Sequence, residues 1–200
     1  PMTEPLAKGI ICHAALENVF DLKPADRTLQ NLENLFRREW GELRGNREGE
    51  NAQQQIISSG STNDNKYDVL FREEDGNAYD IESEIEWGKS SLELLRSYYE
   101  LEDPRTVTPP NPLVKEMWVQ ARLPTLSSEE EEDEFIELKG KIDRIDVLPN
   151  NPSSDDRLQL QIIDYKTGKK PNFKYSKRVN DRISNEQFWK MKVYALMLYK

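Results

Sequence analysis

Asp143, Asp164 and Lys166 are the residues of this 200-residue chain whose types and spacing suit chemistry best. Asp143 lies in Gly140-Lys141-Ile142-Asp143-Arg144-Ile145-Asp146, and the other two lie in Ile162-Ile163-Asp164-Tyr165-Lys166-Thr167-Gly168. Each segment reads as an apolar strand that ends by presenting a carboxylate. Side chains alternate along a strand, so Asp164 and Lys166 face the same side. A neighbouring antiparallel strand brings Asp143 beside them. Two carboxylates and an ammonium on one sheet face hold a hard cation and activate a water, which is equipment for metal-assisted hydrolysis. By itself an Asp-x-Lys triplet is usually a solvated ion pair. His13, on a helix that can pack against the sheet, and a later helix with an amide and a tyrosine raise its weight. Asp146 is three residues beyond Asp143 and faces the other way in a regular strand, so it reads as a partner of Arg144.

The elements that must position these residues can be read from periodicity. Residues 6–22 predict a helix carrying Ile10, His13, Leu16, Glu17 and Phe20. Thr28 caps a second helix, Leu29 to about Leu43, with Leu32, Leu35, Phe36 and Trp40 as its apolar stripe. Arg44–Asn65 reads as a mobile polar loop, and 66–86 is ambiguous. Lys89–Glu102 predicts a helix ended by Pro104. The period then changes. Val114–Leu123, Phe135–Leu148 and Leu158–Tyr165 alternate as strands, separated by the polar loops Ser127–Glu134 and Pro149–Asp156, and form a three-stranded antiparallel meander. Asn172–Asn185 reads as basic and irregular. A closing helix, Glu186 to Lys200, puts Gln187, Met191, Tyr194, Ala195 and Leu198 on one face.

Composition narrows the function classes. Hydrophobic residues make up 36% and charged residues 32%, and no apolar run approaches the length needed to cross a bilayer. No basic segment followed by an apolar one opens the chain, so no signal peptide is expected. The single cysteine, Cys12, excludes an internal disulfide and a four-cysteine zinc or iron–sulfur site made by this chain alone; it reads as a core residue. A reducing, intracellular compartment follows as the expectation. Net charge is −9, yet nine basic residues lie between Tyr165 and Lys192, opposed only by Asp181 and Glu186. An acidic protein thus carries a local basic face beside its candidate site. The acidic run Glu129–Glu134 reads as a solvated loop tip. The ends, Pro1 and an unterminated last helix, suggest a piece of a longer chain.

With these motifs in place, the chain resembles the RecB-like exonuclease branch of the PD-(D/E)XK nuclease superfamily. The resemblance rests on the paired strand motifs, on the Tyr194-Ala195-Leu196 helix, and on Gly9-Ile10-Ile11-Cys12-His13-Ala14-Ala15-Leu16-Glu17. It runs from about Gly9 to Tyr199 and is loose between Arg44 and Asp80. It implies a mixed α/β (α+β) fold with a restriction-endonuclease-like core, a small antiparallel or mixed sheet flanked by helices. The whole chain would form one nuclease domain, with 1–112 mainly helical and supplying His13, and 113–200 carrying the sheet, the catalytic motifs and the closing helix. The resemblance further implies that His13, Asp143, Asp164 and the backbone carbonyl of Tyr165 hold Mg2+ or Mn2+. Lys166 would orient or deprotonate the attacking water and stabilise charge on the phosphate. Gln187, Lys190, Tyr194, Lys169 and Lys170 would contact substrate, with Glu17 and Glu116 behind them. The substrate would be DNA, as ends or single strands, in repair or recombination, with a helicase or other repair protein as a possible associate. An iron–sulfur cluster is not supported within this chain.

One departure stands out. The family usually has a glutamine four residues before the tyrosine of its last motif, and this chain has Lys190 there. That substitution favours a rival reading, a catalytically inactive DNA-binding or scaffolding domain with a nuclease fold. A third reading is an acidic protein-interaction domain with a chance motif match.

Overall fold

The computed structural model describes residues 2–44, 67, 70–71, 79–124, 135–149, 159–168 and 174–199, the side chain of residue 187 excepted. The loop expected across Arg44–Asn65 lies outside these residues apart from Arg44 itself. The acidic run Glu129–Glu134, most of Pro149–Asp156, and Lys169 and Lys170 lie outside them too. The chain divides into two compact units, Pro1–Pro110 and Asn111–Lys200. No helix among the described residues is long and apolar enough to cross a membrane.

The first unit is helical: α1 Glu4–Val19, a short 3-10 turn Pro24–Asp26, α2 Leu29–Arg44 and α3 Ile81–Leu101. Thr3 caps α1, its hydroxyl accepting from the Leu6 amide, and Thr28 caps α2 by accepting from the Asn31 amide at 3.2 Å. Side-chain oxygens at these positions satisfy amides that have no partner within the helix. α3 begins about two turns before the predicted Lys89. Asp80 caps it, accepting from the Ser83 amide at 2.9 Å. The buried residues include Ile11, Ala15 and Val19 of α1 and an aromatic cluster in which Trp40 and Trp87 approach to 4.8 Å between ring centroids. Cys12 is fully buried among them, as expected, and burial, against a weaker pull from Lys8, pushes its thiol up to about 12. Arg27 is 1% exposed and donates to the carbonyls of Phe20, Leu22, Pro104 and Pro110. A buried guanidinium is tolerated here because backbone oxygens around it accept its protons.

The second unit holds the sheet. Strands β1 Val114–Pro124, β2 Phe135–Leu148 and β3 Gln159–Ile163 run antiparallel in the order β1-β2-β3, the predicted meander. Helix α4, Lys177–Tyr199, packs on one face. Ile142, Ile145 and Val119 of the sheet meet Tyr194 and Met197 of the helix, and each fully buried aliphatic side chain stabilises by about 1.5–3 kcal/mol. α4 starts at Lys177, nine residues before the predicted Glu186. Asn180 holds its first turn in place, accepting from the Tyr175 amide at 3.3 Å and donating to the Tyr175 carbonyl at 3.0 Å. The buried face also differs slightly from the predicted one. Met197 is buried and Ala195 is exposed. The outcome is a mixed α/β chain with a small antiparallel sheet, consistent with a restriction-endonuclease-like fold.

Candidate active site

Register determines where the acidic side chains of the second unit stand. Lys115 pairs with Arg144 and Met117 with Ile142, so Glu116 falls opposite Asp143. Arg144 pairs with Ile163 at the end of β3, so the next residue, Asp164, falls opposite Asp143 from the other side. Glu116, Asp143 and Asp164 thus form one row across the sheet. A carboxylate oxygen of Glu116 lies within 4.8 Å of one of Asp143. Directly opposed like charges destabilise a sheet, so such a row persists only where cations and donors offset it.

The backbone bends at this row. Val114 and Met117 both pack against the core although they are three residues apart, and so do Ile142 and Ile145. A regular strand would put each such pair on opposite faces. Glu116 accommodates the switch in β1 with a left-handed φ of 51°.

Each carboxylate has a specific partner. Lys141 pairs with Glu116. The Tyr165 amide donates to Asp143 Oδ2 at 2.6 Å. Lys166 pairs with Asp164 Oδ2, and Lys190 of α4 donates to Asp164 Oδ1 at 2.9 Å. Burial opposes ionisation of Asp164, but hydrogen bonds and charge from Lys166 and Lys190 outweigh it and hold the carboxyl below its usual range. Burial likewise works against the Lys190 ammonium, but its contacts with Tyr194 and Asp164 prevail and push it up to about 12.

Behind the row, Arg144 is 1% exposed and grips Asp146 through Nε and Nη2, at 2.7 Å for the closest contact. This is the pairing expected for Asp146. The same guanidinium donates from Nη1 to the Tyr165 hydroxyl at 2.8 Å. Tyr165 is therefore held at its amide by Asp143 and at its ring by Arg144, which fixes the turn between Asp164 and Lys166.

The predicted site residues separate as follows. Asp143, Asp164, Tyr165, Lys166, Glu116 and Lys190 belong to this one constellation in the second unit. His13 and Glu17 lie on α1 of the first unit, both partly exposed and one helical turn apart. Gln187 lies on α4, but its side chain is outside the described residues, as are Lys169 and Lys170. Tyr194, expected to contact substrate, is 4% exposed and donates its hydroxyl to the Lys141 carbonyl at 2.7 Å. A buried ring with its hydroxyl already engaged braces the strand instead of presenting a donor outward. Lys141 and the Arg144–Tyr165 bond were not anticipated. Alternation alone would have placed Lys141 and Asp143 on one face, but nothing in the sequence paired Arg144 with a tyrosine 21 residues on.

The donor set fits a divalent cation. Asp143 is 8% exposed, and the Asp164 side chain is 9% exposed and held ionised. The Glu116 and Asp143 oxygens that approach within 4.8 Å are hard donors of the kind that suit a divalent cation such as Mg2+ or Mn2+. The model of the PD-(D/E)XK nuclease superfamily matches residues 1–200, and the chain belongs to that superfamily. Its members are in general nucleases that use divalent metals and act on DNA. Comparison with curated proteins returns no match, and comparison with solved structures returns none.

Proposed function

We propose that this chain is a metal-dependent deoxyribonuclease of the RecB-like branch, acting on DNA ends or single strands in repair or recombination. The observation that carries the reading is the row Glu116–Asp143–Asp164 with Lys166 on its last carboxylate. In this reading Asp143, Asp164 and the Tyr165 carbonyl hold Mg2+ or Mn2+, and His13 of the first unit joins them as a nitrogen ligand. Both units would then work as one nuclease domain. The bound metal supplies Lewis acidity, polarising the scissile phosphodiester and lowering the pKa of a water. Lys166, as an ammonium, orients that water and stabilises charge on the phosphate. Arg144 keeps the Tyr165 turn, and with it the carbonyl, in a fixed position. Gln187, Lys190, Lys169 and Lys170 contact the phosphate backbone beyond the site, and Tyr194 supports the strand from which Asp143 projects. Glu17 and Glu116 act behind the ligands, Glu116 by its place beside Asp143.

Purified protein tests this directly. It is expected to cut linear DNA with Mg2+ or Mn2+ and to stop when a chelator removes the metal. Asp164→Ala and Lys166→Ala should each lower the rate by about 10²–10⁴-fold while the circular dichroism spectrum stays that of the parent. Full Mg2+-dependent cutting by Asp164→Ala would overturn the assignment. The scaffolding alternative draws its support from Lys190 at the place of the usual glutamine. It requires that the parent protein bind DNA in a salt-sensitive way without cutting it under any divalent metal.

A further inference from the structure

We propose that Lys190 is a built-in cation for Asp164: in the metal-free protein it occupies the carboxylate oxygen that a divalent ion would take, and so it sets how tightly the site loads metal. The inference rests on the metal-site reading above and adds a determinant of its affinity.

Both oxygens of Asp164 are already committed. Lys166, two residues on, pairs with Oδ2, and Lys190, from a different element, donates to Oδ1 at 2.9 Å. The carboxylate is nearly enclosed, with its side chain 9% exposed, while the two lysine side chains are 62% and 48% exposed. The oxygens are thus fixed, and the ammonium groups reach them from the solvent side. A doubly charged ion at the same oxygens would sit within a few ångströms of two like charges, and one ammonium must withdraw. Lys190 already lies 5.0 Å from the centre of the Tyr194 ring, a cation–π position it can keep after releasing Asp164. A long, water-accessible lysine stem makes this exchange cheap. A glutamine at 190 could still donate to Asp164 but would bring no charge to compete.

The test is calorimetric titration of Mn2+ into the parent chain, Lys190→Gln and Lys190→Met, without DNA. Because the Lys190 side chain is half exposed, both variants are expected to melt close to the parent. Removing one partly exposed lysine–carboxylate pair should tighten Mn2+ binding by about two- to fivefold in both variants. The midpoint of Mn2+-induced thermal stabilisation should fall to correspondingly lower metal concentration. Unchanged or weaker binding in the two variants would overturn the proposal while leaving the metal site intact. No Mn2+ binding by any of the three proteins would remove the metal-site reading and this inference together. Normal Mn2+ binding without DNA cleavage would count against the nuclease reading only.

Discussion

The ring of Tyr194 fills the space that a side chain at residue 140 would need. A methyl group added at Gly140 would overlap the ring edge and stand 3.0 Å from the hydroxyl oxygen and 3.1 Å from Cζ. The hydroxyl then reaches past the glycine to the carbonyl of Lys141. Helix α4 is thereby seated on β2 two residues before Asp143, by a contact only glycine permits.

Gly140→Ala is therefore expected to destabilise the second unit by about 1–3 kcal/mol, because a buried ring with its hydroxyl bonded has little room to move. Tyr194→Phe removes one hydrogen bond and should cost about 1 kcal/mol. Denaturant melts of the two variants check this. Equal stability of Gly140→Ala and the parent would show that the ring gives way.

Glu116 offers a way to separate stability from chemistry. Its backbone has φ of 51°, and its carboxylate faces Asp143. Glycine adopts that conformation without strain and brings no like charge. Glu116→Gly should raise stability by about 1 kcal/mol, with Mn2+ affinity falling in the same protein. Thermal melts with and without Mn2+ measure both quantities. A variant that is more stable and binds metal as before would leave Glu116 with a backbone role alone.

Acid titration probes the loop after α3. The Arg105 side chain donates to both Asp103 oxygens, at 2.9 and 2.6 Å for the shortest contact to each, and its backbone amide adds a further bond. These bonds, led by the Arg105 side chain and only partly opposed by burial, hold the Asp103 carboxyl down to about 2. A carboxyl depressed on folding favours the native state above its ordinary value of 3.8, and that contribution is lost as pH falls through about 2. Arg105→Gln should move the Asp103 titration back toward 3.8, read from its carboxyl carbon by NMR. No movement would assign the depression to other neighbours.

The strands and the acidic residues they carry, Asp143 and Asp164, were legible because they depend on local alternation. Ile142-Asp143 and Ile162-Ile163-Asp164 announce strands that each end in an acid, and the hairpin order follows from their spacing. Glu116 was less legible. Its place beside Asp143 depends on the β1–β2 register, which is set across a polar loop with no turn signature. The start of α4 was hidden for a different reason. Lys177 and Arg178 oppose the helix dipole, and Asn180 and Asp181 are weak helix formers, so periodicity gave no signal. The helix forms there because Asn180 clasps Tyr175 and the following turns dock on the sheet. The start of α3 had its cap, Asp80, in plain sight, but Gly88 broke the pattern that would have linked it to Leu92. Tyr194 was legible as important and not as buried, since its role is set by a glycine 54 residues earlier.

The row in the second unit also has an electrical consequence. Glu116, Asp143 and Asp164 are accompanied by Lys141, Lys166 and Lys190, so three negative groups stand among three positive ones. An approaching polyanion finds matched charges there and little to attract it. If the row binds a divalent ion as proposed, loading would give it a surplus of two positive charges, and a nucleic acid strand would then be drawn to the row after loading and not before.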